Sequence, residues 1–354
     1  MKITKIEYFR LDLPLSEPYT IAYETVHSAS NIILQITTDT GLTGWGCAAP
    51  DEEITGEKVE DVVDAIEGWI SPLLIGESPF QIIRFQHQLS QTAGVGKSAL
   101  AMVDTALYDL LARKAGIPLY QLLGGFRHAI ETSITIGICP LEETIEKTRK
   151  YRKEGFRVIK LKGGLSVEGD IEKVAKLREV FGGDFRIRFD ANQGFTPKQA
   201  IEFVQATTPF EVEILEQPTT VTQEADLKQV TDRVKIPVMA DESIRSLHDA
   251  FHLNKNEIID MVNIKIMKVG GITEAQHINS VAKAASCEVM VGCLDECALG
   301  IAAGLHFALS RPNIEFADLD GHLDLLNDPF EGLFSLKNGI LRPTESSGLG
   351  TVRL

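Results

Sequence analysis

Residues 131–319 repeat a pattern of short apolar runs separated by amphipathic stretches. The runs are often β-branched, which is typical of buried parallel strands. They occur at 132–138, 157–162, 185–191, 211–217, 236–242, 261–266, 287–292 and 313–319. Helical periodicity lies between them, for example at 166–181, 196–208, 273–285 and 299–309. Eight strands with seven intervening helices predict a (β/α)7β barrel, a modified TIM barrel without its last helix, rather than an open sheet.

The first hundred or so residues follow a different pattern. Residues 2–13 alternate as in a strand, and 32–46 predict two further strands joined by a turn. Helical periods follow at Val59–Leu74, with Trp69 on the apolar stripe, and at Ser98–Ala115. This order predicts an α+β capping domain before the barrel.

A polar segment, 16–31, lies between the first two strands. It predicts a surface loop, and the alternative is a cap loop that folds over the barrel mouth. The predicted domains are the cap at 1–125, the catalytic barrel at 126–324 and a segment at 325–354 that returns to the cap.

Composition narrows the class of protein. The chain has 354 residues, 44% of them hydrophobic, which is ample for a large core. A net charge of −15 argues against broad nucleic-acid binding and against attraction to an anionic membrane. The N-terminus lacks the apolar core of a signal peptide, and no apolar run is long enough to span a membrane. We expect a cytoplasmic protein with neither nucleic acid nor membrane as partner.

The five cysteines are scattered and include no Cys-x-x-Cys pair. This pattern is typical of reduced thiols rather than of a disulfide framework. A metal clamp made by Cys293 and Cys297 is a minor alternative, since the spacing differs from usual zinc sites.

Charged residues close several of the predicted strands at regular intervals. Steps of 28, 26, 25 and 24 residues separate Lys162, Asp190, Glu216, Asp241 and Lys265. One strand, one helix and two short loops need about that length, so each step predicts one βα unit. The five side chains are therefore expected on one rim of the barrel, where active sites of such barrels lie.

Three of these residues, Asp190, Glu216 and Asp241, supply hard oxygen ligands on adjacent strands. Such a set suits one Mg²⁺ per subunit, with the substrate and water completing the shell. Taken singly, each carboxylate is more often a surface charge or a helix cap than a metal ligand. Without a cation, three in register would repel one another, which favours the metal interpretation.

Lysines flank this trio on the second and sixth strands. Lys160 and Lys162 point to the same strand face, so mutual repulsion and a nearby dication predict a lowered pKa and a role as base. The alternative is that the lysines only neutralise the acidic rim. Lys265 supplies a base on the opposite side, whereas Lys268 is expected on the other strand face. Two opposed bases at a metal-chelated carboxylate can remove and return an α-proton through an enediolate.

The motifs IKLKGG, RFDANQGF, ILEQP, ADES, NIKIMKVGG and GCLDE identify the chain as similar to the enolase superfamily, muconate-lactonizing subgroup. The resemblance extends over essentially the whole length. Enolase-superfamily sites are a known example of a lysine base working with Mg²⁺. Several reactions share these motifs, among them cycloisomerisation, o-succinylbenzoate synthesis and dipeptide epimerisation.

Asp318 and Asp320, at the eighth strand, resemble the D-x-D motif with which dipeptide epimerases hold the α-ammonium of the substrate. Two carboxylates that face one way are costly unless a cation neutralises them. Turn capping after the strand is the alternative. The resemblance implies a dipeptide whose carboxylate binds Mg²⁺, and Lys162 and Lys265, with Lys160 beside them, act at the α-carbon of its second residue.

Charge in the predicted specificity regions departs from the family pattern. Relatives acting on L-Ala-D/L-Glu carry an arginine in the cap loop, whereas this chain has Glu24, and Asp51 adds negative charge in a second cap loop. Asp295 stands where an apolar residue is usual. These acids predict a preference for Lys or Arg side chains. The predicted substrate-binding residues beyond the paired acids are Glu24, Asp51, Thr135, Leu294, Asp295 and Glu296.

Asn192, Glu242 and Asn263 are predicted to support the metal ligands and lysines, although each is also typical of a structural hydrogen bonder. A muconate-type cycloisomerase or o-succinylbenzoate synthase is the alternative enzyme. A non-catalytic barrel that binds cationic peptides is the alternative of another class. The expected partner is a small dipeptide, and a homo-oligomer is expected.

Overall fold

A computed structural model describes residues 1–352, in which the chain forms three sheets. The first sheet is an antiparallel meander in the cap. Its strands are β1 (Ile3–Thr20), β2 (Thr25–Thr38) and β3 (Thr43–Ala48). The surface-loop prediction for segment 16–31 is wrong, because most of this segment belongs to β1 and β2. Backbone pairs such as Tyr19 with Val26 extend the hairpin after an irregularity at 14–19, and such pairing does not depend on apolar side chains.

Helices cover one face of this meander. They are α1 (Val59–Ala65), α2 (Ser71–Leu74), α3 (Ile82–Ser90), α4 (Lys97–Ala115) and α5 (Leu119–Leu122). A π-helical turn, Ile66–Ile70, joins α1 to α2. Trp69, predicted on the apolar stripe, is 51% exposed. The wider turn shifts the helical phase, so a spacing derived from 3.6 residues per turn no longer applies there.

Helix α4 packs directly on the backbone of β3. A Cβ atom at Gly46 would lie 1.9 Å from the carbonyl oxygen of Met102, and one at Gly44 would lie 2.4 Å from that of Ala106. The two glycines therefore permit a contact that no larger residue allows. This contact joins the helical layer of the cap to its sheet.

The barrel sheet contains the eight predicted parallel strands in sequence order. After the short strand β4 (Ile130–Glu131), they are β5 (Ile134–Ile136), β6 (Val158–Lys162), β7 (Arg186–Asp190), β8 (Val212–Glu216), β9 (Val238–Ala240), β10 (Met261–Lys265), β11 (Glu288–Gly292) and β12 (Ile314–Asp318). A parallel bridge from Thr132 to Ala317 and a hydrogen bond from the Ser133 amide to Ala317 close the barrel.

Helices connect consecutive barrel strands, as predicted. They are α6 (Leu141–Lys153), α7 (Val167–Phe181), α8 (Pro197–Thr207), α9 (Glu224–Thr231), α10 (Leu247–Lys255), the single turn α11 (Ile266–Val269), α12 (Ile272–Ala284) and α13 (Ala298–Ala308). A 3₁₀ turn, Gly321–Leu323, follows β12 in place of the eighth helix. The (β/α)7β architecture is therefore confirmed. Among residues 1–352, no helix is both long and apolar enough to cross a bilayer.

The C-terminal segment returns to the cap. Strand β14 (Ile340–Pro343) pairs with β13 (Phe334–Lys337) on one side and with β4 on the other. Gly348 then exchanges backbone hydrogen bonds with Ile117 and Leu119 beside α5. The last two residues of the predicted segment lie outside the described part of the chain. The domain boundaries at 125 and 324 stay predictions.

Asp109 of α4 joins three parts of the fold. Its buried carboxylate accepts hydrogen bonds from the amides of Trp45 in β3 and Leu349 in the C-terminal segment, at 2.9 and 2.7 Å. It also accepts one from the Arg113 guanidinium at 2.8 Å. Burial raises its pKa, but these donors oppose the shift. One carboxylate thus fixes the cap sheet, the long helix and the C-terminal segment together.

Replacing Asp109 by Ala should destabilise the protein strongly. The change leaves two amides and a partly buried guanidinium without their acceptor, and breaking a buried pair in this way costs about 3–5 kcal/mol. Thermal unfolding followed by circular dichroism should show a clearly lower midpoint. Glu179→Ala, which breaks an exposed pair with Lys176, should change stability by less than about 0.5 kcal/mol. Equal midpoints for the two variants would contradict this role for Asp109.

Candidate active site

The carboxyl ends of the barrel strands bring the predicted charges to one rim. Lys162, Asp190, Glu216, Lys265 and Asp318 are the last residues of their strands, and Asp241 directly follows β9. The register pairs Lys162 with Asp190, and Asp190 with Glu216. Strand order places β6 and β10, which carry Lys162 and Lys265, on either side of the three carboxylate strands.

Lysine ammonium groups neutralise these carboxylates. Lys160 Nζ lies 3.1 Å from Asp190, 2.9 Å from Glu216 and 2.7 Å from Asp318. Lys162 Nζ lies 2.7 Å from Asp190, and Lys265 Nζ lies 2.8 Å from Asp241. The three acids of the predicted metal set are at most 2% exposed. The rim is therefore a buried network of alternating charge rather than a solvated surface.

Burial makes this network sensitive to its charge balance. It raises the pKa of Glu216 to about 8, with the neighbouring charge of Asp190 adding to the effect. Burial also opposes ionisation of Asp190 and Asp241, but their lysine partners outweigh it and lower both pKa values. Glu216 is thus the acid that the lysines neutralise least completely.

The lowered pKa predicted for Lys160 depends on a nearby dication and stays a prediction, whereas the acidic rim by itself raises the pKa values of Lys160 and Lys265. Burial lowers the pKa of each ammonium, yet the surrounding carboxylates raise both well above the ordinary value. For Lys160 the largest carboxylate contributions come from Asp318 and Glu216. Attraction to the acidic rim outweighs repulsion between lysines, because the acids are in contact and the lysines are already paired with them.

Lys268 also differs from its prediction. Strand β10 ends at Lys265, and the turn α11 brings Lys268 back to the same acid. Its Nζ contacts both the carboxylate and the backbone oxygen of Asp241. Burial lowers the pKa of Lys268. The helical turn after the strand, which the alternating pattern does not predict, puts a second lysine on Asp241.

The residues present fit a magnesium ion, although no three metal-ligating side chains among residues 1–352 already converge as in a formed site. The carboxylates form ion pairs with lysine ammonium groups instead. Asn192 Oδ1 and Glu242 Oε2 are buried and have no hydrogen-bond partner in the part of the chain that the structure describes. Both residues line the same cavity as Lys160 and Lys162. Hard carboxylate oxygens beside unsatisfied acceptors suit a hydrated dication, whose waters donate hydrogen bonds.

Two of the predicted supporting residues, Asn192 and Asn263, contact the carboxylates of the predicted metal set, and the third, Glu242, contacts Asn192. The side-chain amide of Asn192 donates to Glu242 over 3.3 Å, and the backbone amide of Asn192 donates to Asp190 over 2.9 Å. Asn263 donates to Glu216 over 2.7 Å. Burial raises the pKa of Glu242 to about 7. These contacts orient the carboxylates and leave Glu242 facing the cavity with one oxygen unsatisfied.

The paired acids of the eighth strand have different partners. Asp318 accepts from Lys160 and, over 2.6 Å, from the Ser133 hydroxyl. Burial opposes its ionisation, but Lys160 lowers its pKa. Asp320 accepts from the Thr135 amide over 2.6 Å, and burial together with Asp318 raises its pKa to about 7. Asp320 is therefore the acid of the pair that has no positively charged partner within residues 1–352.

The cap closes the cavity above this rim. The hairpin of β1 and β2 contributes Tyr19 from β1 and Tyr23 and Glu24 from the turn, and the second cap loop contributes Asp51. Asp51 accepts hydrogen bonds from the amides of Glu53 and Ile54, so it also shapes its own loop. Burial and the charges of neighbouring acids raise the pKa of Glu24. The structure therefore supports the alternative interpretation of segment 16–31, in which it folds over the barrel mouth.

The loop after β11 completes the wall with Leu294 and Asp295. Glu296 does not face the cavity, in contrast to its prediction. It is 2% exposed, and its carboxylate accepts a hydrogen bond from the Leu294 amide over 3.0 Å. A single position in a tight loop changes the direction of a side chain, and sequence spacing alone does not fix that direction.

Residues of the site and its walls that were not predicted from sequence include Ser133, Tyr19, Tyr23 and Asn31. Ser133 directly precedes β5 and lies two residues before the predicted Thr135, so the alternation of side chains was a usable signal. The others lie in a polar hairpin without a motif. The Cys293/Cys297 clamp has no support, because Cys297 Sγ faces Cys47 Sγ at 3.6 Å.

Comparison with known proteins shows which families and relatives this chain is similar to. Residues 5–124 match the profile of the mandelate racemase / muconate lactonizing enzyme N-terminal domain, and 143–352 match the enolase C-terminal domain-like profile. L-Ala-D/L-Glu epimerase from Bacillus subtilis is 38% identical over 99% of this chain and 97% of its own. L-Lys-D/L-Arg epimerase from Desulforapulum autotrophicum is 38% identical over the whole of both chains.

A solved structure is similar over the full length as well. The crystal structure of dipeptide epimerase from Enterococcus faecalis V583, complexed with Mg and the dipeptide L-Leu-L-Tyr, has a TM-score of 0.97 and 38% identity and covers 100% of both chains. Relatives with different named substrates thus have the same identity to this chain. Overall identity does not select a substrate, so the charges of the cavity wall must be weighed for that purpose.

Replacing Lys160 by Met tests the charge balance of the rim. Three buried acids lose a shared cation, so the metal-free protein should be less stable by about 3–5 kcal/mol. Mg²⁺ should restore part of the lost stability, and its addition should raise the thermal midpoint more for this variant than for the wild type.

Lys176→Met, which removes an exposed lysine of α7, is the matched control and should melt like the wild type with and without Mg²⁺. A Lys160→Met variant whose midpoint responds to Mg²⁺ no more than the wild type would contradict the shared use of these carboxylates.

Proposed function

Since the chain belongs to the mandelate racemase / muconate lactonizing enzyme family of the enolase superfamily, we propose that it is a dipeptide epimerase that depends on Mg²⁺. The observation that carries this proposal is the order of charges on the rim. Two lysine-bearing strands flank three carboxylate strands, and a further pair of acids lies on β12. This set can bind a carboxylate, an α-ammonium and the α-carbon between them.

Asp190, Glu216 and Asp241 would hold one Mg²⁺ per subunit, which supplies positive charge where negative charge develops on the substrate carboxylate. Asn263 and Asn192 keep two of these acids oriented through hydrogen bonds to Glu216 and Asp190. Lys268 holds Asp241 from beneath. The site is thereby preorganised before substrate enters.

Lys162 and Lys265 are proposed to move the α-proton of the second residue. One removes it from one face and the other returns a proton to the opposite face, which inverts the centre. Their exposed fractions of 11% and 9% are the largest among the lysines of the rim network. Lys160 and Lys268 are more completely enclosed and paired. Lys160 is better placed to hold charge than to exchange a proton with substrate.

Asp320 and Asp318 would receive the α-ammonium of the first residue. Asp320 lacks a lysine or arginine partner among the described residues and has a pKa raised to about 7, so a bound cation removes an existing penalty. Asp318 links this end of the site to the metal ligands through Lys160. Thr135 fixes Asp320 through its amide.

The substrate side chains are proposed to be cationic. Glu24, Asp51 and Asp295 line the upper cavity, and a glutamate side chain would add to their repulsion. The L-Lys-D/L-Arg epimerase named above is one of several relatives at equal identity. The wall charges, rather than that identity, support Lys or Arg as the preferred residues.

An exchange screen in deuterated water tests this function. Dipeptides with Lys or Arg should incorporate deuterium at the α-carbon of the second residue faster than L-Ala-L-Glu, by at least about tenfold, because like charges exclude the acidic side chain. Mass spectrometry and proton NMR would measure the exchange with Mg²⁺ present and after chelation.

Faster exchange of L-Ala-L-Glu would refute the charge preference but leave the epimerase. If no dipeptide exchanges while a cycloisomerase or o-succinylbenzoate synthase substrate is converted, the alternative enzyme is correct. Binding of cationic peptides without any exchange would favour the non-catalytic barrel.

Lys162→Ala and Lys265→Ala should separate the two bases. Epimerisation should fall at least about a thousandfold in each, since one proton transfer is lost. Each variant should still exchange the α-proton of one epimer, the one that faces its remaining lysine, and the two variants should retain opposite epimers. Lys176→Met serves as the control. If one variant exchanges both epimers, a single lysine does the proton work.

A further inference from the structure

Within residues 1–352, one hydrogen-bonding group, the Tyr19 hydroxyl of the cap, holds the Asp295 side chain. The Tyr19 hydroxyl lies 2.8 and 3.0 Å from the two carboxylate oxygens, and it donates its one proton between them. Tyr19 belongs to β1, whereas Asp295 follows β11 in the barrel. No lysine or arginine of residues 1–352 lies within ion-pair distance of Asp295. Tyr19 is therefore the contact that orients this acid.

The main chain beside Asp295 is fixed separately. Asn31 of β2 donates to the Asp295 carbonyl oxygen over 3.0 Å and accepts from the Cys297 amide over 2.7 Å. The loop therefore stays attached to the cap without Tyr19. Loss of the Tyr19 hydroxyl would free the carboxylate of Asp295 while Asn31 keeps the backbone of the loop in place.

Asp295 lies next to the ammonium end of the cavity. Strand β11 pairs with β12 so that Gly292 stands opposite Asp318. Gly321, directly after Asp320, approaches the Leu294 carbonyl so closely that a Cβ atom would lie 2.4 Å from it. The loop carrying Asp295 therefore borders the position proposed for the first residue of the dipeptide. The side chain of that first residue is the part of the substrate that Asp295 can recognise.

Tyr19 also keeps Asp295 charged. Burial raises the pKa of Asp295 to about 6, and the hydrogen bond from Tyr19 opposes this rise. Asp51 and Asp324 act in the same direction as burial. Without the phenol the carboxylate would lose its donor and hold a proton more readily near neutral pH, and a protonated acid no longer attracts a cation.

We propose that Tyr19 is a positioning residue that holds Asp295 toward the first side chain of the dipeptide and so confers a preference for Lys or Arg at that position. This inference rests on the proposed epimerase function and divides its specificity. The first residue is recognised by the Tyr19–Asp295 pair, and the second residue is recognised without that pair.

Three dipeptides test the division: L-Lys-L-Leu, L-Leu-L-Lys and L-Leu-L-Leu. The ratio of kcat/KM for the first and third measures preference at the first residue, and the ratio for the second and third measures it at the second. Tyr19→Phe should lower the first ratio by about tenfold or more, mainly through KM, because a hydrogen bond to a charged group is lost. The second ratio should change by less than about twofold.

A double-mutant cycle shows whether Tyr19 acts through Asp295. Asp295→Asn should lower the first ratio as Tyr19→Phe does, and adding Tyr19→Phe to it should change that ratio no further. Tyr8→Phe is the matched control, since Tyr8 lies on the same strand and bonds Glu67 outside the cavity. If Tyr19→Phe does not fold, the loss of first-residue preference in Asp295→Asn carries the test.

The outcomes distinguish a failure of this inference from a failure of the proposed epimerase function. A wild-type enzyme that prefers Lys at the first residue, with a Tyr19→Phe variant that keeps the preference, overturns the inference alone. Equal loss for all three dipeptides overturns it as well and shows a structural role in the cap. Exchange without any charge preference in the wild type overturns the cationic specificity itself, and absence of all dipeptide exchange overturns the epimerase.

Discussion

Burial of negative charge at the barrel mouth is the constraint on which the rest of the site depends. Asp190, Glu216 and Asp241 are almost completely enclosed, and isolated carboxylates are very costly in such surroundings. Lysines on the flanking strands, together with Lys268, which contacts Asp241, offset this cost. The neutralisation is incomplete, as the raised pKa of Glu216 shows. A site of this kind is prepared to accept a further cation.

The fold supplies the proximity that this charge network needs. Parallel strands of a barrel present their carboxyl ends at one rim, so residues some 25 positions apart in sequence become neighbours. The cap then excludes water from that rim, which strengthens every interaction within it. Asp109 and the glycines of β3 hold the cap layers together far from the rim. The cap layers are thus held together by residues that take no part in the charge network of the rim.

Sequence predicted the barrel and the identity of the rim residues because both depend on period and order. Strand ends recur at nearly regular intervals, and the charged residue that closes each apolar run can be recognised from the sequence alone. Lys268 was misplaced because a one-turn helix follows β10, and Trp69 because a π-turn interrupts its helix. The orientation of the Glu296 side chain depends on the direction of its loop. The role of Tyr19 depends on a contact between the cap and the barrel, with Asp295, 276 positions away in the sequence. No local pattern encodes such a contact.

Charge accounting links the chemistry of the rim to the choice of substrate. Four lysines form ion pairs with four acids of the rim: Lys160, Lys162, Lys265 and Lys268 with Asp190, Glu216, Asp241 and Asp318. Other acids near the cavity, among them Glu242, Asp295 and Asp320, have no lysine partner in residues 1–352, and burial raises their pKa values. In the proposed function, magnesium and an α-ammonium would add positive charge, and the substrate carboxylate would remove part of it. A Lys or Arg side chain would reduce the remaining negative excess, whereas a Glu side chain would increase it, so the acids without a lysine partner support the proposal of a cationic dipeptide.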